Sequence, residues 1–248
     1  MILQNTKNLF LLFLLKLQER DIYFIRHGES ISNTRENTQM KLPDNAVSLT
    51  TKGEEQANNA GLFLSDYLKH CSISTKNAIL WVSPYKRTRQ TAEIINEHLQ
   101  IRENRIFENP NLVEHNYGLF ADKDIEEIAI MFPEEWELYN RYCKEQGKFF
   151  VKFPQGESPH DVYNRMELFI GTMFRDYYNP TFIVTHGNVI KTGIMAMMHR
   201  SPEWFDAEPT MQNCSIRRLT HTKKLTTDTY IHGGPILKMK KEENKYGH

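Results

Sequence analysis

Three apolar runs in this chain each end in polar, reactive residues. Asp21-Ile22-Tyr23-Phe24-Ile25 leads into Arg26-His27-Gly28-Glu29-Ser30, and Ala78-Ile79-Leu80-Trp81-Val82 leads into Ser83-Pro84-Tyr85-Lys86-Arg87. Thr181-Phe182-Ile183-Val184-Thr185 leads into His186-Gly187-Asn188. A lone histidine after an apolar run is usually structural. Two histidines, each followed by glycine and each ending such a run, point to a shared site. Glycine lets backbone approach a ligand closely, and N–H groups at a helix start favour anions. Arginine adds a planar, permanently charged fork matched to phosphate oxygens. Two arginines and two histidines around one point suit a dianionic phosphate. They suit a metal ion badly, because a guanidinium cannot ligate and its charge repels the ion. No metal and no cofactor is therefore expected.

The elements that must position these residues are legible from periodicity. The apolar runs are short, unbroken and rich in β-branched and aromatic residues, as in strands buried on both faces. Helical patterns lie between them. One opens at a capping box read as Thr51-x-x-Glu54 and carries Ala57, Ala60, Leu64 and Leu68 on one face. A second sets Thr88, Ala92, Ile95 and Leu99 inward. A third, capped by Ser158-x-x-Asp161, turns Val162, Met166, Phe169, Ile170 and Met173 inward and stops at Asn179-Pro180. A fourth runs from His186-Gly187 to about Met198. Residues 31–48 read as a long loop. Residues 108–155 read as an insertion without a core of its own, with helices near 123–131 and 134–146. Cys214 to Leu219 and Leu225 to Ile231 read as a closing pair of edge strands.

Alternating strands and helices predict an α/β fold. The expected architecture is a single three-layer domain over residues 21–232, with a mostly parallel central sheet flanked by helices. In such sheets ligands sit beyond the carboxyl ends of the strands, where the three reactive clusters fall. Residues 1–20 read as an N-terminal extension and 233–248 as a basic, disordered tail. The apolar run from Leu9 to Leu15 is far short of the roughly 20 residues needed to cross a bilayer. Leu17-Gln18-Glu19-Arg20 offers no small-x-small cleavage site, so a terminal helix or a mis-assigned start is expected rather than a signal or anchor.

Composition narrows the partners. The 31 basic and 31 acidic side chains cancel, so no global field draws nucleic acid or an anionic membrane. Neither is expected to bind. Cys71, Cys143 and Cys214 are scattered without Cys-x-x-Cys spacing, which argues against a disulfide framework or a zinc site. A reduced, cytoplasmic setting is expected.

The motifs together resemble the histidine phosphatase superfamily, which includes the cofactor-dependent phosphoglycerate mutases. Arg26-His27-Gly28-Glu29-Ser30 with Asn33 is similar to the family's R-H-G-x-S-x-x-N signature. The segment from Ser83 to Ala92 is similar to S-P-x-x-R-x-x-Q-T-A, and Leu112 to Gly118 to L-x-E-x-x-x-G. Gly156-Glu157-Ser158 matches the G-E-S that opens the penultimate long helix, and Thr185-His186-Gly187-Asn188 the late H-G motif. The matches run in order from about residue 21 to 220. The resemblance implies a phosphoglycerate mutase-like fold and phosphohistidine chemistry. His27 would be the nucleophile, its tautomer held by a backbone acceptor. Arg26, Asn33, Arg87 and His186 would hold the phosphate, and Glu114 would serve as general acid and base.

The resemblance leaves mutase and phosphatase to be separated. The insertion from Met131 to Tyr142 is acidic and aromatic, and the loop after the nucleophile lacks the mutase's G-W-x-D-type segment. Gly147 to Ser158 resembles a branch of phosphoglycerate-mutase-like proteins of plants and fungi whose members are generally regarded as phosphatases or have no settled substrate. Hydrolysis of phosphate monoesters is the expectation, with a mutase-type phosphotransferase or a catalytically weak phospho-ligand binding module as alternatives. The expected partner is a small phosphorylated substrate or a phosphoprotein, and the expected state a monomer or homodimer. Arg89, Glu29 and His115 are expected to stand outside the chemistry, Ser30 is left open, and Arg35 and Lys41 are candidate substrate contacts. Tyr117, Phe120 and Phe149 either line an apolar pocket or pack the insertion.

Overall fold

The computed structural model of the chain describes residues 20–34, 42–175, 178–222 and 225–236. The expectations for Leu9 to Leu15, Arg35, Lys41 and the tail beyond 236 lie outside the described residues. Six strands form one sheet: β1 (Arg20–Arg26), β2 (Ile79–Val82), β3 (Ile106–Glu108), β4 (Thr181–Thr185), β5 (Ile216–His221) and β6 (Thr226–His232). Their order is β3-β2-β4-β1-β5-β6, parallel from β3 through β1, with β5 and β6 antiparallel.

Helices cover both faces, which is why the strands are apolar along their length. On one face, α1 (Thr51–His70) and α2 (Lys86–Leu99) bury Ala57, Ala60, Leu64, Ala92 and Ile95 against Tyr23, Ile25, Leu80 and Phe182. On the other, α5 (Pro159–Met173) and α6 (Gly187–Met198) bury Val162, Met166, Phe169 and Ile190 against Ile22, Phe24, Trp81 and Ile183. Tyr23 and Ile22, adjacent in β1, thus belong to opposite cores, as the twofold alternation of a strand requires. The remaining helices are α3 (Ile125–Met131), α4 (Pro133–Gln146) and the short α7 (Pro202–Ala207).

Four local expectations need correction. The N-cap of α1 is Thr50, whose hydroxyl accepts from the Gly53 N–H at 3.0 Å, one residue before the box read at Thr51. β3 falls where no strand was expected, because its three residues are partly exposed and carry no alternation. β5 is an interior strand between β1 and β6, and it begins at Ile216; Cys214 precedes it at a φ of 55°. The insertion holds a small aromatic cluster, in which Phe120 touches Phe132, Trp136, Tyr139 and Phe153.

The connection leaving β1 crosses one face by way of α1, and the connection leaving β4 crosses the other by way of α6. β1 and β4 are parallel neighbours, so a crevice opens between their carboxyl ends. The register pairs Arg26 with Thr185, which brings His27 and His186 level.

Candidate active site

Backbone hydrogen bonds extend the sheet beyond its last residues. The His27 N–H donates to the Thr185 carbonyl at 3.0 Å, and the Ser83 N–H to Val184 at 3.0 Å. Three chain segments are thereby locked side by side. The loop after β1 also lies tightly on the start of α1. A Cβ on Gly28 would sit 2.4 Å from the Gly53 carbonyl oxygen, and one on Gly53 only 2.0 Å from that of Glu29. Thr91 on α2 adds a hydroxyl that accepts from the Gly28 N–H at 3.1 Å. Gln90 accepts from the Leu49 N–H at 2.9 Å, fixing the far end of the loop.

His27 is 2% exposed. Its Nδ1 lies 2.7 Å from the Gly28 carbonyl, and because a carbonyl only accepts, Nδ1 carries the proton. Burial, and then the charges of Arg87 and Arg26, hold its pKa well below the ordinary histidine value. The ring is neutral and its Nε2 lone pair is uncommitted.

The two arginines are each held from one side. Arg26 donates through Nη1 to the Met211 carbonyl, and its buried Nε has no hydrogen-bond partner. Arg87 is 3% exposed, and its terminal edge is taken by Asp44. Nη1 reaches Asp44 Oδ1 at 2.7 Å and the Asp44 carbonyl at 2.8 Å, and Nη2 reaches Oδ2 at 3.3 Å. The buried Nε has no partner, so the Nε edge of the fork remains for an anion. Asp44 is a residue the sequence reading missed. Nothing at its position in the polar loop distinguishes it.

His186 is fully buried, with Nε2 2.9 Å from Ser83 Oγ and Nδ1 3.5 Å from Glu114 Oε2. Burial, His27 and the arginines keep it neutral. When the Ser83 hydroxyl donates to Nε2, Nδ1 carries a proton that an anion can accept. Glu114 accepts the His115 N–H at 2.8 Å, and burial raises its pKa against the opposing pull of that N–H and of both arginines. Asn33 Oδ1 accepts from the Ser30 N–H, the Ser30 hydroxyl and Asn213 Nδ2. Three donors on the oxygen fix the amide orientation and leave its N–H groups available.

Arg26, His27, Asn33, Arg87 and Glu114 line one cavity of about 620 Å³, and His186 stands beside it, its ring 5.2 Å from that of His27 and its Nδ1 3.5 Å from Glu114. Arg26, His27, Asn33, Arg87, Glu114 and His186 are thus brought to one place, while the candidate contacts Arg35 and Lys41 lie outside the described residues. Ser30 is engaged locally with Ser32 and Asn33. Glu29 is tied to Lys52 at 2.7 Å, and Arg89 to Glu108 at 2.6 Å, both away from the cavity. His115, expected to be an incidental loop residue, is 3% exposed and lines the cavity. Tyr117 lines it too, whereas Phe120 packs the insertion and Phe149 packs against Met195 and Phe205. Arg165, also missed, fixes the Glu114 segment. It donates to the Glu157 carboxylate at 2.9 Å, to the Asn111 carbonyl at 2.6 Å and to the Glu114 carbonyl at 3.2 Å.

His27, Glu114 and His186 place one ligand atom each within 4.8 Å of one another, close enough to hold a metal ion. The donor set fits one poorly. The guanidiniums of Arg26 and Arg87 line the same space, and a dication there is repelled. A dianion is attracted.

Comparison with known proteins gives one consistent picture. The model of the histidine phosphatase superfamily (branch 1) matches residues 22–227. A phosphoglycerate mutase-like protein of Arabidopsis thaliana is 30% identical over 215 residues, covering 82% of this chain and 65% of that protein. The chain thus spans just under two thirds of that relative's length. A broad-range acid phosphatase of Saccharomyces cerevisiae is 25% identical over 280 residues, covering 79% of this chain and 84% of the relative. Among solved structures, the alpha-ribazole phosphatase of Shigella flexneri superposes with a TM-score of 0.68 at 19% identity, over 88% of this chain and 99% of that one. That likeness shows the fold.

Proposed function

This chain belongs to the histidine phosphatase superfamily, and from that premise we propose that it hydrolyses phosphate monoesters through a phosphohistidine on His27. The observation that carries the reading is the state of His27. It is buried beside two arginines, neutral, with Nδ1–H committed to Gly28 and the Nε2 lone pair free to attack.

In the first step Nε2 attacks phosphorus and the bond to the leaving oxygen breaks. Glu114, whose pKa burial raises, acts in its acid form and gives its proton to that oxygen. Arg26, the open edge of Arg87, the Asn33 amide and His186 Nδ1–H hold the non-bridging oxygens. One such preorganised donor contributes roughly 3–4 kcal/mol to the transition state. In the second step the Glu114 carboxylate takes a proton from water, the water oxygen attacks phosphorus, and the N–P bond breaks. Inorganic phosphate leaves and His27 returns neutral.

Hydrolysis is favoured over mutase-type transfer, because a mutase must also grip a carboxylate-bearing substrate. The described lining of the cavity adds no Lys or Arg beyond Arg26 and Arg87. The partner we propose is a small phosphorylated molecule, turned over without metal by a monomer or homodimer. No described helix is long and apolar enough to cross a membrane. The three cysteines are free thiols, which favours the cytoplasm. The test is hydrolysis of p-nitrophenyl phosphate in EDTA: full activity is expected, and its loss on chelation would exclude the metal-free reaction.

A further inference from the structure

The leaving-group side of the cavity has a chemical character of its own. Among the described residues, the cavity lining carries four carboxylates, Asp44, Glu114, Asp122 and Glu157, against two guanidiniums, Arg26 and Arg87. A bound phosphate dianion uses both guanidiniums, and Glu114 is committed to the leaving oxygen. What remains among the described residues is acidic. Glu157 is balanced by Arg165, which is fully occupied with Glu157 and two backbone carbonyls. Asp122 is exposed and enters no ion pair among the described residues.

An independent observation concerns His115. Its Nε2 lies 3.0 Å from the Glu157 carbonyl, so Nε2 carries the proton and Nδ1 is a bare acceptor. That Nδ1 is buried without a hydrogen-bond partner, in a ring that lines the cavity next to Glu114. An unsatisfied buried acceptor is costly, and a donor on a bound molecule relieves it. The ring of Tyr117, 4.7 Å from that of His115, belongs to the same wall, and aromatic faces attract cations. Acceptor, carboxylates and the Tyr117 ring favour the same kind of group.

Building on the phosphatase reading, we propose that this subsite selects monophosphates whose alcohol carries a hydrogen-bond donor, an ammonium best of all, and discriminates against a second anionic group. Asp122 and Asp44 supply the charge preference and His115 Nδ1 accepts the donor. Each exposed carboxylate contributes about threefold, so the two together separate ammonium from carboxylate by about tenfold.

The test measures kcat/KM for four phosphates that differ only at the end of the alcohol: aminoethyl, hydroxyethyl, ethyl and carboxymethyl phosphate. The expected order is aminoethyl, hydroxyethyl, ethyl, carboxymethyl. Asp122→Asn, which tolerates the left-handed backbone at this position (φ 56°), lowers the aminoethyl-to-carboxymethyl ratio about threefold. His115→Phe keeps the ring volume and removes the acceptor together with the Nε2–H bond to the Glu157 carbonyl. It lowers the hydroxyethyl-to-ethyl ratio and leaves ethyl phosphate to report on fold and chemistry. Equal turnover of the four, preference for the carboxymethyl ester, or ratios unmoved by both variants would overturn the proposal while leaving phosphatase activity established. Absence of turnover on all four and on p-nitrophenyl phosphate overturns the phosphatase reading, and the selectivity proposal with it.

Discussion

Replacing Glu114 with glutamine separates proton donation from everything else the side chain does. Glutamine keeps the volume and the oxygen that accepts the His115 N–H at 2.8 Å. It cannot release a proton. General acid catalysis is worth about 10²–10⁴-fold, or about 3–5 kcal/mol of barrier. The full loss falls on an alkyl phosphate, whose alkoxide leaves only when protonated. With p-nitrophenyl phosphate the phenolate departs unaided, so kcat/KM should fall by no more than about tenfold. The parameter to compare is kcat/KM, which reports phosphoryl transfer to His27, because Glu114 also serves the later hydrolysis and lowers kcat on every substrate. The pH dependence carries the sign. The acid form is required, so kcat/KM on the alkyl ester falls as pH rises through the raised pKa of Glu114. In Glu114→Gln that limb disappears. Equal losses on both substrates, or an unchanged pH profile, would refute the role of Glu114 as acid.

Two further predictions concern the scaffold. Gly53→Ala should stabilise α1 by about 1 kcal/mol on helix propensity alone; here it should instead destabilise the protein and lower kcat, because the new Cβ would meet the Glu29 carbonyl at 2.0 Å and push the His27 loop off α1. Thermal unfolding and steady-state kinetics check it. Stability should also fall in mild acid. His27, His115 and His186 have folded pKa values depressed below 6.5. The unfolded chain takes up those protons as pH falls through that value and the folded chain does not, so stability is lost on acidification. His221 and His232, also depressed by burial, act in the same direction, and Glu114, with its raised pKa, opposes them. Between about pH 7 and about pH 5.5, His27 and His186, held well below the ordinary value, together cost about 2 kcal/mol, lowering Tm by about 4–8 °C. A flat Tm across that range would contradict the neutral histidines.

The sheet and the reactive ends of β1, β2 and β4 were readable because buried parallel strands are apolar on both faces and stop abruptly at the site. β3 was not, since Ile106-Phe107-Glu108 is short and partly exposed. The cap of α1 slipped by one residue because Thr50 and Thr51 offer the same hydroxyl, and only backbone geometry distinguishes them. Residues that act through the fold left little trace in sequence. Asp44 holds Arg87 from 43 positions away, and Arg165 holds the Glu114 backbone from 51. Ser83 was visible as a motif residue, yet its bond to His186 spans 103 positions. His115 looked incidental because burial and an orphaned ring nitrogen are properties of the packed insertion.

The central claim is covalent phosphorylation of His27. Mixing the protein with a radiolabelled monoester and quenching within the first turnover should trap a phosphoenzyme that is labile in acid and stable in base. The label should map to His27 and be absent from His27→Ala. A label retained in His27→Ala, or turnover at the parental rate without a nucleophile at that position, would contradict the account.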